Sequence, residues 1–92
     1  MPRLTEWRIG FDVSYLEPQD MPCLLGCVCN DIRFEDGCYI KTSRIKKVEN
    51  CGDHKEVTTK SGTVYDIYKN DVSEPFSKDY PDAYEMLSEL NE

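Results

Sequence analysis

Residues Trp7 to Tyr15, W-R-I-G-F-D-V-S-Y, put an apolar side chain at every odd position and a polar or small one between. A period of two places Trp7, Ile9, Phe11, Val13 and Tyr15 on one face of an extended strand, which must then be covered. The chain is therefore committed to a sheet with a buried side. Leu16-Glu17-Pro18-Gln19-Asp20 ends the run, because Pro18 has no N–H for a ladder. At 92 residues there is room for one domain with one modest core.

The later strands are shorter. Cys23 to Cys29, C-L-L-G-C-V-C, is apolar on both faces and too short for an ordinary helix, so a central strand is expected. Gly26 inside it marks a bulge or a close backbone approach. Glu35-Asp36-Gly37 is a turn with Gly37 at positive φ. A strand from Cys38 to Glu49 comes next. Ile40 and Thr42 share a face there, whereas Ile45 and Val48 stand at an odd spacing, which a bulge near Ser43-Arg44 reconciles. Asn50-Cys51-Gly52-Asp53 turns the chain into a β-branched strand at Lys55 to Lys60. Ser61-Gly62 then closes a hairpin into Thr63 to Tyr68, with Tyr65 and Ile67 on one face.

Beyond Asn70 the pattern changes. Pro75 and Phe76 read as linker, Pro81 suits the first turn of a helix, and Tyr80, Tyr84, Leu87 and Leu90 recur every three or four residues. The expected fold is mainly β with some α: a small antiparallel, partly closed barrel or twisted sheet of about five strands, with a C-terminal helix over one side.

A net charge of −7 opposes direct binding to nucleic acid or to an anionic membrane. No run is long and apolar enough to cross a bilayer, and the start lacks the order of a signal peptide, so a cytoplasmic protein is expected. Its five cysteines are then reduced thiols, mostly buried. The charge is unevenly spread. Five of the eleven Lys and Arg (Arg33, Lys41, Arg44, Lys46, Lys47) lie within fifteen residues, while Asp66 to Glu92 carries eight acids against two lysines.

Two candidate sites emerge. Arg33, Lys41, Thr42, Ser43 and Arg44 offer guanidinium, ammonium and hydroxyl donors suited to a phosphate, hence to a nucleotide ligand. Tyr80, Asp82, Tyr84, Glu85 and Glu89 form an acidic, aromatic surface suited to a basic protein partner. A zinc site from the cysteines and His54 is not expected: Cys51 and His54 have a half-site spacing, but the regular C-x-x-C pairs are missing. The same two residues have no evident third group to make a nucleophile and base. The expectation is no enzyme, no cofactor and no metal.

The order R-F-x-D-G-x-x-I-x-T-S-x-I from Arg33 to Ile45, then V-x-T-x-S-G-T-x-Y-x-I from Val57 to Ile67, resembles small proteins of phages and prophages. The resemblance implies an anti-defence product of anti-CRISPR-like type. Such a protein inhibits a host defence protein by stoichiometric binding, or sequesters the nucleotide signal of a defence pathway. The second mode implies a homo-oligomer, because one small barrel encloses little volume. A toxin-neutralising immunity protein shares the acidity.

Overall fold

The computed structural model describes residues 2–12 and 21–90. It is a closed barrel of five strands in sequence order: β1 (Arg3–Asp12), β2 (Met21–Cys29), β3 (Cys38–Asn50), β4 (Lys55–Thr59) and β5 (Val64–Ile67). Each strand pairs antiparallel with the next. An odd number of strands traversed up and down leaves the first and last pointing the same way, so the closing pair must be parallel. Arg3 sits beside Asp66 and Leu4 beside Ile67, with the Asp66 N–H donating to the Pro2 carbonyl at 2.8 Å. Closure pairs the edges that would otherwise template aggregation.

The alternation expected from Trp7 starts earlier and is broken once. Three steps from Thr5 to Arg8 face two from Cys27 to Leu25, and Glu6 takes a positive φ of 52°. This bulge puts Leu4, Trp7 and Ile9 all inside despite the odd interval between the first two. Opposite it, a Cβ on Gly26 would lie 2.9 Å from the Thr5 carbonyl oxygen and 3.1 Å from Trp7 Cα, so only glycine fits there. Val13 to Tyr15 and the Leu16–Asp20 break lie outside the described residues.

Two bulges shape β3. Three steps from Lys41 to Arg44 face two from Leu25 to Cys23 on β2, which bears out the irregularity expected near Ser43-Arg44. The bulge interrupts the ladder at Leu24, whose N–H donates instead to the Thr42 hydroxyl at 3.0 Å. A second shift between Ile45 and Lys47 brings Val48 back toward the core.

The interior holds Leu4, Trp7, Ile9, Leu24, Val28, Ile45, Val57, Tyr65 and Ile67, and Ala83 and Leu87 pack against it from the C-terminal segment. The Trp7 indole N–H donates to the Tyr68 carbonyl at 2.9 Å, so the largest core side chain leaves no orphan donor. Two sequence expectations are corrected here. Pro75 and Phe76 are helical, in α1 (Glu74–Asp79), because proline in the first helical turn forfeits only an N–H that has no partner anyway. The terminal helix starts after Pro81, as α2 (Ala83–Met86) running into a 3-10 turn at Leu87–Glu89. Leu87 and Ala83 are buried and Tyr84 and Leu90 pack partly against the core, as the stripe requires, but Tyr80 is 47% exposed.

Candidate functional site

The C-terminal segment presents a cleft of about 360 Å³ between the 3-10 turn at Lys69–Asp71, α1 and α2, lined by Lys69, Asn70, Val72, Ser77, Tyr80 and Tyr84. The Tyr80 ring is held against Phe76, with centroids 4.9 Å apart. Tyr84 is half-buried. Its ring lies 4.4 Å below the Lys55 ammonium, which donates to the Tyr84 carbonyl and to the Ser88 hydroxyl, each at 2.8 Å. Lys55 points inward from β4 and is buried, and burial pushes its ammonium pKa down. One buried cation thus fastens the segment to the barrel. Asp82, Glu85 and Glu89 are exposed, as are Glu74 and Asp79. Lys69 bonds Glu85 at 2.9 Å and holds its carboxyl below the usual range. The surface is acidic around an exposed tyrosine.

The basic segment is arranged differently from its sequence reading. Thr42 lies inside the wall, where its hydroxyl accepts from Leu24 and donates to the Ser43 carbonyl at 2.8 Å. It serves the β3 bulge. The Ser43 hydroxyl bonds Ser61 at 3.2 Å, tying β3 to the β4–β5 hairpin. Arg33 closes a two-pronged pair with Asp31, at 3.1 and 2.7 Å, and reaches the Tyr65 hydroxyl at 3.4 Å. Its guanidinium pKa is raised, first by the Asp31 bond, and Asp31 is held low by Arg33 in return. Arg44 shares the β3 ladder beside Cys23, and Lys41 is exposed. These bonds stabilise the loop and the bulge; Arg33 and Lys41 are the exposed members of the set.

A third cluster lies on the outer face at the β3–β4 turn. Cys51 stands in the turn and is exposed, as is Cys38, whereas Cys23 is buried. Exposed thiols at two of the five positions depart from the expectation of mostly buried ones. His54 and Glu56 are two residues apart, and Glu56 lies on the outward face of β4. The ligand atoms of Cys51, His54 and Glu56 all lie within 4.8 Å of one another. His54 Nδ1 is bonded to Asp53 Oδ1 at 2.7 Å, and its ring stacks on Tyr68 with centroids 5.0 Å apart. The far nitrogen, Nε2, faces Asp66 Oδ1 at 3.7 Å and Glu56 Oε2 at 3.9 Å. The Asp53 bond is the main cause raising the His54 pKa, with Asp66 and Glu56 adding to it, while partial desolvation by its neighbours pushes the Cys51 thiol up, assisted by Glu56.

No known protein family, curated protein or solved structure matches this chain. Its chemistry is read from its own geometry.

Sequence reasoning singles out Cys51 and His54 but not Glu56 and Asp66. A two-residue Ser61-Gly62 loop would set Glu56 opposite Ile67; the loop is instead Lys60-Ser61-Gly62, with Gly62 at a φ of 92° and the Thr59 N–H on the Thr63 carbonyl, and this register sets Glu56 directly opposite Asp66. Also missed is Ile32, fully exposed at the β2–β3 loop near Phe34 and Tyr39, which are exposed too. No helix among the described residues is long and apolar enough to cross a membrane.

Proposed function

We propose that this chain is a non-enzymatic inhibitor of phage type that acts on a bacterial defence system by stoichiometric protein binding. The observation that carries the proposal is the cleft at the C-terminal segment, with Tyr80 47% exposed beside it and Asp82, Glu85 and Glu89 exposed nearby. A rigid aromatic anchor supplies contact area at little entropic cost, and surrounding acids steer a basic partner and fix its register. The occupant is a basic surface of a host protein. The phage setting comes from the resemblance of Arg33–Ile45 and Val57–Ile67. Sequestration of a nucleotide signal ranks behind it, because Thr42 spends its hydroxyl proton, and Arg33 its paired Nε–Nη2 edge, on acceptors within the chain.

The test is phage plating on strains that each carry one defence system, with and without this chain. The expected result is restored plating in one such strain, lost when Asp82, Glu85 and Glu89 are replaced together by Asn, Gln and Gln. A triple variant that restores plating as well as the original would count against this face. Restored growth of a toxin-expressing strain, without any effect on plating, would favour the immunity reading.

A further inference from the structure

Three acids stand side by side across the outer face of the barrel. Glu49 on β3 is opposite Glu56 on β4, and Glu56 is opposite Asp66 on β5. Directly opposed like charges destabilise a sheet unless a cation intervenes. Glu49 is paired with Lys47, but Asp66 Oδ1 is buried and accepts no hydrogen bond among the described residues. A buried carboxylate oxygen without a donor is costly. It points toward His54 Nε2, and the 3.7 Å between them, like the 3.9 Å from Nε2 to Glu56, is too long for a hydrogen bond.

Those separations suit two ligands of one ion. Bonds of roughly 2.0–2.3 Å to nitrogen, oxygen and sulfur in a tetrahedron set ligand atoms roughly 3.3–3.6 Å apart. A contraction of a few tenths of an ångström brings both carboxylates into range of an ion on Nε2, while Asp66 lies outside the Cys51–His54–Glu56 set, whose ligand atoms are within 4.8 Å of one another, and closes on the ion from β5. Asp53, bonded to Nδ1, fixes the imidazole with Nε2 directed at the site, the usual support for a metal-ligating histidine. Gly52, at a φ of 91°, permits the turn that brings Cys51 back over the strand, and the Cys51 N–H donates to the His54 carbonyl at 2.9 Å.

We propose that Cys51, His54 and Glu56, with Asp66 as fourth donor, bind one divalent transition-metal ion of the zinc class. One thiolate, one imidazole and carboxylate oxygen is a borderline-soft set that favours zinc or cobalt over magnesium or calcium. The Cys51 proton leaves to solvent as the ion binds. With four protein ligands the site is structural: it staples the β3–β4 turn to β5, a device suited to a domain with a small core.

The test is titration of the full chain, reduced and stripped of metal, with cobalt(II) and then zinc. The expected result is one cobalt per chain, a thiolate-to-cobalt charge-transfer band, the intense visible bands of a four-coordinate ion, and displacement by zinc. Cys51→Ser should abolish the charge-transfer band and Cys38→Ser should leave it unchanged. Asp53→Asn should weaken binding roughly 10–100-fold. Zinc should raise the melting temperature of the original chain and not of Cys51→Ser, whose metal-free circular dichroism should match the original. Failure to bind cobalt, a six-coordinate spectrum, or a charge-transfer band that survives Cys51→Ser would overturn the proposal.

Discussion

Lys55→Met tests whether one buried ammonium holds the C-terminal segment on the barrel. The substitution keeps a side chain of similar length, so no sizeable cavity opens, and removes the donor to Tyr84 and Ser88. Hydrogen bonds from a charged group are each worth about 1.5–3 kcal/mol. Ser88 is exposed, so its hydroxyl returns to water and its share is largely recovered. What remains is about one such bond, less the dehydration of an ammonium that burial already disfavours. The net loss should be about 1–2 kcal/mol, or about 4–16 °C in melting temperature for a domain of this size. Urea unfolding monitored by Trp7 fluorescence gives the first number, and hydrogen exchange at residues 83–89 gives the location. A Lys55→Met protein as stable as the original, with unchanged exchange in that segment, would refute the clamp.

Packing and charge lead to three further outcomes. Gly26→Ala drives a methyl into the backbone of Thr5 and Trp7 and should cost about 1–3 kcal/mol in urea unfolding; a neutral result would mean the β1 bulge yields freely. Trp7→Ala empties a fully buried site and should cost about 3–5 kcal/mol, a large part of the stability of a domain this small, seen as a fall in the urea midpoint. Arg33 depresses the Asp31 carboxyl pKa in the fold, so the pair's stabilisation is present above the ordinary carboxylate value of about 4 and fades as pH falls through the lower folded value. Asp31→Asn should therefore be less stable than the original at neutral pH and converge with it in acid; a constant difference across that range would contradict the pairing.

The fold is largely legible because its strands carry period-two patterns and its turns carry glycine where positive φ is needed, at Gly37, Gly52 and Gly62. The β3 bulge near Ser43-Arg44 is legible from the odd spacing of Ile45 against Ile40 and Thr42. Three features are not. The β1 bulge uses Glu6, a residue type with no preference for positive φ, so nothing local announces it. Lys55 turns inward with Val57 and Thr59, and a lysine at that position reads as surface until its acceptors, Tyr84 and Ser88, are seen to come from about thirty residues away. Pro75 reads as punctuation, whereas its place in a first helical turn depends on the residues after it, Phe76 to Asp79, being able to continue the helix. In the candidate sites, exposure of the acids is legible from the sequence. The burial of Thr42 is not, since its hydroxyl answers a backbone group freed by a bulge between its strand and the neighbouring one.

The most direct test of the proposed function is a photo-crosslinking amino acid placed at Tyr80, and at Tyr39 on the β2–β3 side for comparison, in cells where the chain restores phage plating. The account predicts an adduct of one chain with one basic host protein from position 80 and none from position 39. An adduct from position 39 alone, or restored plating with no adduct from position 80, would contradict it.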